Sequence, residues 1–167
     1  MVKTEQNLKD AFSGESQANR RYIAFANKAE EEGFTQVAKL FKAAAEAETV
    51  HALNHLRITG QIQSTLENLG AAVSGETFEF KEMYPKYIDT AKLEANKQAA
   101  WSFNVANIVE QIHARLFKKA IEALKYKKPL EQVDYYVCGV CGNTVEGAPP
   151  EKCPICGAPK EKFFKPT

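Results

Sequence analysis

No cysteine precedes Cys138 in this 167-residue chain, so no disulfide can tie its long amino-terminal part together. Proline is nearly missing there too: residues 4–127 contain only Pro85, which leaves long helices unbroken. An excess of one charge is lacking as well. The 22 Lys+Arg and 21 Asp+Glu leave a formal net charge of +1, without the footprint that duplex nucleic acid or an anionic membrane surface would require. Nor does any apolar run approach the roughly 18 residues of a membrane span, and the opening MVKTEQNLKD has no apolar signal-peptide core. The expectation is a soluble, cytoplasmic protein that binds neither nucleic acid nor membrane.

What is present falls into two regimes. Up to about Lys127 the texture is Ala, Glu, Lys and Leu, with apolar residues at three- and four-residue steps. Beyond Lys128 lie six of the seven prolines and four of the nine glycines. Start and stop signals divide the first regime into four long helices and one short one. Thr4 caps the first and Gly33 ends it, and Thr35 caps the second, which runs to Gly60. A Ser64–Glu67 capping box predicts one or two helical turns before Gly70. The third long helix is expected from Ser74-Gly75 to about Asn96, with a kink or altered turn at Pro85, and the fourth from there to about Tyr126. Two short turns and one long connection predict a mainly α, ferritin-like four-helix bundle with one long crossover.

The inward seams of these helices carry charge. The second helix presents Val37, Phe41, Ala44, Glu48, His51, His55 and Ile58, and the fourth presents Ala99, Phe103, Ala106, Glu110, His113, Phe117, Ala120 and Leu124. Glu15 lies on the apolar row of the first helix, and Glu76 and Glu79 on that of the third. Five buried carboxylates would cost more than a domain's whole stability unless protonated or neutralised by cations. Glu-x-x-His places both side chains on one helix face, so Glu48 with His51 and Glu110 with His113 can each reach a shared metal centre. An internal repeat supports two half-sites. Tyr22 and Tyr84, Ala29 and Ala91, Phe41 and Phe103, Glu48 and Glu110, and His51 and His113 stand 62 residues apart, while Gly14-Glu15 and Gly75-Glu76 stand 61 apart. His55 repeats as Phe117, which cannot bind metal, so His55 reads as a packing residue.

The tail holds Cys138-x-x-Cys141 and Cys153-x-x-Cys156, a four-thiolate site that accepts zinc or iron on spacing alone. Residues 1–130 are thus read as a metal-binding bundle and 134–167 as a small module that depends on its metal to fold.

These motifs together resemble the rubrerythrin family over the whole chain. They are Gly14-Glu15-Ser16 with Tyr22, Glu48-x-x-His51, Gly75-Glu76-x-x-Glu79 with Met83-Tyr84-Pro85, Glu110-x-x-His113, and the terminal cysteine pairs. The resemblance implies that Glu48 and Glu110 bridge two irons, with Glu15 and Glu79 on one and Glu76 and His113 on the other. It implies that His51 replaces Glu79 when that iron moves on reduction, and that Tyr22 and Tyr84 orient carboxylates. Five carboxylates against two ferrous ions leave one net negative charge, which exchange of one Glu for a neutral His removes. The tail resembles a rubredoxin-like module holding a mononuclear iron on Cys138, Cys141, Cys153 and Cys156. It departs from free-standing rubredoxins in its short spacer and in Asn143, where an aromatic residue is common.

The function implied is a non-haem di-iron peroxidase that reduces hydrogen peroxide to water in oxidative-stress defence. Electrons would arrive through the thiolate iron from a rubredoxin or an NAD(P)H-dependent reductase, since no Gly-x-Gly-x-x-Gly marks a nicotinamide site here. The resemblance also implies a homodimer or larger homo-oligomer, with or without exchanged hairpins, in which the cysteine module of one chain lies near the di-iron site of another. Two alternatives stay open from the residues: an iron-oxidising ferritin-like protein, and a zinc-ribbon interaction protein.

Overall fold

A computed structural model describes residues 3–166, which form two compact units divided between Gln63 and Ser64. The first is a helical hairpin, α1 (Lys3–Glu31) and α2 (Thr35–Ile58). Gly33, at φ +82°, ends α1: its N–H bonds the Glu30 carbonyl at 3.0 Å and the Phe34 N–H bonds the Ala29 carbonyl at 2.8 Å. Phe34, rather than Thr35, occupies the N-cap position of α2, with no side-chain cap bond. Small residues bring the two helices together, with Ala26 and Ala29 of α1 and Ala38, Ala45 and Ala52 of α2 all buried. The seven-residue spacing of the α2 alanines keeps one stripe against α1. Asn19 is the buried polar residue of the hairpin, and its amide donates to the Ala45 carbonyl at 2.7 Å and to Thr49 Oγ1 at 2.9 Å.

The second unit holds α3 (Thr65–Phe78), a π turn (Glu79–Met83), α4 (Tyr84–Leu93) and α5 (Lys97–Lys125). The capping box at Ser64 is present, but the helix it starts does not stop near Gly70. It continues through Ser74-Gly75, so the expected short helix and the beginning of the third long helix are one element. Interior glycines cost only about 1 kcal/mol each relative to alanine, too little to end a helix that has packing partners. The altered turn expected at Pro85 is found just before it. Tyr84 N–H reaches back five residues to the Glu79 carbonyl, which widens the helix where the proline ring would otherwise crowd the preceding turn. That extra residue accounts for the shift of the internal repeat from 61 to 62 between Glu76 and Tyr84. The turn into α5 repeats the one at Gly33 with Ala95 at φ +55°, its N–H bonding the Lys92 carbonyl and the Asn96 N–H bonding Ala91 O at 2.8 Å.

Three short strands complete the second unit, β1 (Tyr135–Cys138), β2 (Thr144–Glu146) and β3 (Phe163–Phe164), antiparallel in the order β2-β1-β3. This sheet packs on α5. Val105 is buried in one cluster with Cys138, Cys141, Cys153 and Phe163, and Lys119 pairs with Glu146 at 2.8 Å. Among the described residues no helix is long and apolar enough to cross a membrane.

Candidate metal centres

The sequence-predicted ligands other than Glu79 gather into three groups. In the first hairpin Glu15 of α1 meets Glu48 and His51 of α2, with one ligand atom from each within 4.8 Å of the others. Glu48 is half-buried beside the alanine stripe, and its Oε2 lies 2.9 Å from His51 Nδ1, while the His51 side chain is 54% exposed. His55, one turn further on, is half-buried and outside this group. The Tyr22 ring packs at 6.1 Å from Phe41, one turn of α2 before Ala44 and Ala45.

The second hairpin builds the repeat mate from Glu76 of α3 and Glu110 and His113 of α5. His113 Nδ1 stands 2.8 Å from Glu110 Oε2 and 3.7 Å from Glu76 Oε1. Burial, a shared hydrogen bond with Glu110, and the charges of Glu110 and Glu79 push the Glu76 carboxyl up to about 7 despite the opposing His113. Burial and Glu110 also raise Glu79. Glu110 is itself held low: burial resists its ionisation, but hydrogen bonds from His113 and Glu76 outweigh it. Two acids raised beside a third held low are the kind of charge cluster that a divalent or trivalent metal would neutralise. Tyr84 feels the same field, its hydroxyl raised by burial and then by Glu110, Glu79 and Glu76. Glu79, three residues after Glu76 and without a carboxylate counterpart in α1, lies within electrostatic reach of Glu110.

One residue of the site was missed from sequence. Thr144 of β2 lies with its Oγ1 2.9 Å from His113 Nε2 and 3.2 Å from the Gly142 carbonyl. The carbonyl can only accept, so the threonine hydrogen goes to Gly142 and Thr144 Oγ1 accepts Nε2–H of His113. Nδ1 is then the nitrogen left facing Glu110, protonated without metal and free to ligate with it. Burial opposes protonation of His113, but the Glu110 hydrogen bond is larger and raises its pKa. Nothing local in the sequence announces a contact across 31 residues. A groove of about 530 Å³ opens beside this group, walled by Leu69, Leu116, Phe117 and Ala120, with Tyr135 and Thr144 at its rim.

The third group is Cys138, Cys141, Cys153 and Cys156. Sulfur–sulfur distances of 3.7 Å between Cys138 and Cys156 and 3.5 Å between Cys141 and Cys153 approach the roughly 3.8 Å edge of a tetrahedron with metal–sulfur bonds of about 2.3 Å. Two similar turns set this geometry. Gly142 and Gly157, both at positive φ, donate N–H to the Cys138 and Cys153 carbonyls at 2.8 and 2.9 Å. Burial resists ionisation of Cys153, but N–H groups of Cys156 and Ile155 and its sulfur neighbours bring its thiol down to about 7; burial instead drives the Cys141 thiol strongly up. A site that already favours one thiolate suits a metal that takes four.

Comparison with known proteins agrees with this geometry. The family model described as Rubrerythrin matches residues 6–121, and the one described as Rubrerythrin, rubredoxin-like domain matches 136–164. Rubrerythrin-2 of Clostridium acetobutylicum is 36% identical over 174 residues, covering 96% of this chain and 95% of its own. Rubrerythrin of Porphyromonas gingivalis is 36% identical over 180 residues, covering 98% and 90%. Among solved structures, fully reduced, all-ferrous nigerythrin aligns with TM-score 0.59 at 32% identity over 99% of this chain and 88% of that one. The family's cofactors are a di-iron site and a rubredoxin-like four-cysteine iron site, and the carboxylate–histidine groups and the four cysteines are the groups of this chain that could hold metal. Matched in both its parts and aligned with these relatives nearly end to end, the chain belongs to the rubrerythrin family.

Proposed function

We propose that this protein is a peroxidase that reduces hydrogen peroxide to water, using electrons delivered through its four-cysteine iron. The observation that carries this reading is the hydrogen-bonded link from His113 Nε2 through Thr144 Oγ1 to the Gly142 carbonyl, next in the chain to Cys141. It ties a ligand of the carboxylate group to the thiolate module, which a storage protein or a zinc ribbon would not require. When bound, the paired irons supply Lewis acidity and the two electrons that O–O cleavage consumes, and the thiolate iron passes electrons one at a time.

The chain's own residues do the rest. Glu15, Glu48, Glu76, Glu79, Glu110, His51 and His113 would hold the pair, with Glu48 and Glu110 the carboxylates that both metals would share. Thr144 fixes the His113 ring so that Nδ1 faces Glu110. The Glu76–Glu110 pair holds a proton near neutral pH in the metal-free unit, which bound metal would displace. Tyr22 and Tyr84 orient carboxylates. Apolar side chains line the groove beside Glu76 and His113. The reductant is a rubredoxin or an NAD(P)H-dependent reductase, and the working form is a cytoplasmic homo-oligomer.

Anaerobic purification followed by a metal assay and a peroxide-consumption assay with reduced rubredoxin as donor tests the reading. Three irons per chain and catalytic loss of peroxide are expected. Zinc on the four cysteines with no donor-dependent consumption would contradict it, and a mineral-loaded cage on size exclusion would move the assignment to iron storage.

A further inference from the structure

The two Cys-x-x-Cys-Gly turns are built alike, but the residue after each glycine differs: Asn143 in the first and Ala158 in the second. Both supply the same backbone bonds. The Asn143 carbonyl accepts from Cys138 N–H at 2.9 Å and the Ala158 carbonyl from Cys153 N–H at 2.7 Å. Their backbone N–H groups bond the sulfurs of Cys141 and Cys156. Only Asn143 adds a side chain. That side chain is 1% exposed, and its Nδ2 lies 3.6 Å from Cys153 Sγ.

Burying a primary amide is costly unless it is bonded, and an apolar residue would fill this place without that cost. The amide oxygen would repel a thiolate, so the NH₂ end is the one that belongs there. The donor also reaches across the module, from the first cysteine pair to the second.

We infer that Asn143 is a positioning residue that raises the reduction potential of the four-cysteine iron by donating its side-chain N–H to the Cys153 sulfur. The inference rests on iron occupying this site. Reduction brings in one electron, forms and breaks no bond to the protein, and takes the iron with its four thiolates from one net negative charge to two. A donor aimed at sulfur stabilises the more negative form more, the more so where water is excluded. The consequence is a port that stays reduced at donor levels that would leave a site without this amide oxidised.

The test is the midpoint potential of the thiolate iron in the full, iron-loaded chain, titrated with dithionite and followed by its visible thiolate-to-iron bands, for parent and Asn143→Leu. Leucine has the same branching and the same number of side-chain heavy atoms, and no donor. About a tenfold drop in the reduced-to-oxidised ratio at fixed potential is expected, equivalent to about 59 mV for one electron. Unchanged potential in a variant with unchanged bands and iron content would overturn the inference. A second measurement needs no variant: with ¹¹³Cd on the four cysteines, a scalar coupling between the metal and the Asn143 side-chain amide proton is expected, and its absence overturns the inference even if Asn143→Leu fails to hold metal. Zinc in the native metal assay would refute iron occupancy instead. Peroxide turnover enters neither readout, so failure of the peroxidase reading is told apart.

Discussion

His51 and His113 occupy equivalent places in a repeated hairpin, each three residues after a glutamate it touches through Nδ1, yet they are held differently. The His51 ring is 54% exposed and bonds only Glu48 among the described contacts, whereas the 28% exposed His113 is pinned at both nitrogens, by Glu110 and by Thr144. A ring bonded through one nitrogen can turn about its own axis, and one bonded through both cannot. The repeat thus supplies two copies of one ligand pattern, and added parts make the copies unequal: the π turn with Glu79, and the thiolate module docked on α5. His51 is thus held at one nitrogen and His113 at both, an asymmetry within an otherwise repeated pattern.

The largest expected effect distinguishes the appended module from the hairpins. Removing the thiolate-bound metal with a chelator, or making Cys138→Ser, should unfold residues 134–166, because structural metal in such small modules is worth on the order of 10 kcal/mol or more of folding free energy. Amide exchange should then rise throughout the module while the α1–α2 hairpin keeps its protection. Loss of protection in both would show that the first unit does not stand by itself.

Next in size is the clamp on His113. Thr144→Val keeps the shape and removes the acceptor, and should lower metal affinity or peroxide turnover by roughly 10–100-fold, the usual cost of losing a group that orients a ligand. Among the described residues no equivalent partner holds His51, so the two half-sites should become more alike, which would be read as equal ring mobility of the two histidines by NMR of the zinc-loaded protein. An unchanged rate in Thr144→Val would remove the clamp from the account.

The acids give a pH signature. Glu76 is raised to about 7 in the folded, metal-free unit, so the folded state binds the extra proton between about 4.5 and about 7 and loses that advantage as pH rises through the window. The midpoint temperature of the metal-free protein should therefore fall over this range, and Glu76→Gln should flatten the slope. Bound metal should abolish it in the parent. A midpoint that rises across the window in Glu76-containing protein, relative to Glu76→Gln, would contradict the stated burial effect.

The smallest effects lie in the two equivalent turns. Gly33 and Ala95 share a left-handed backbone, but only one is glycine, and a Cβ added at Gly33 would meet no heavy atom within 4 Å. Ala95→Gly should stabilise the chain by about 1 kcal/mol and Gly33→Ala destabilise it by a similar amount, through φ alone. Thermal or urea unfolding of the pair checks this.

These turns also show how far the sequence could be read. Gly33 announced a helix end because it supplies positive φ, whereas Ala95 adopts the same conformation without any such residue, and only the neighbouring Asn96 marked the boundary. Gly70 and Gly75 misled in the opposite direction, since glycine inside a packed helix is tolerated and Ser64 had already capped that helix. The carboxylate–histidine groups of each hairpin were legible because Glu-x-x-His is a local, one-face pattern, and their pairing because they repeat. The π turn left a trace, the step from 61 to 62 residues in the repeat together with Pro85, that fixed its place but not its form. Thr144 left none, because its value to His113 comes from packing a distant strand on α5. Asn143 stood out as a departure, and the structure supplies its contact.

The most direct test of the whole account is a rapid-mixing experiment on fully reduced, three-iron protein and its Glu110→Ala variant. Reduced protein is mixed with hydrogen peroxide under anaerobic conditions while the thiolate-iron bands are followed. The account predicts that these bands return quickly, at a rate that rises with peroxide, in the parent, and that Glu110→Ala with its four-cysteine iron intact slows the return by roughly a hundredfold or more. Equal rates in the two proteins would mean that peroxide oxidises the thiolate iron directly, and the carboxylate centre would have no part in the reaction.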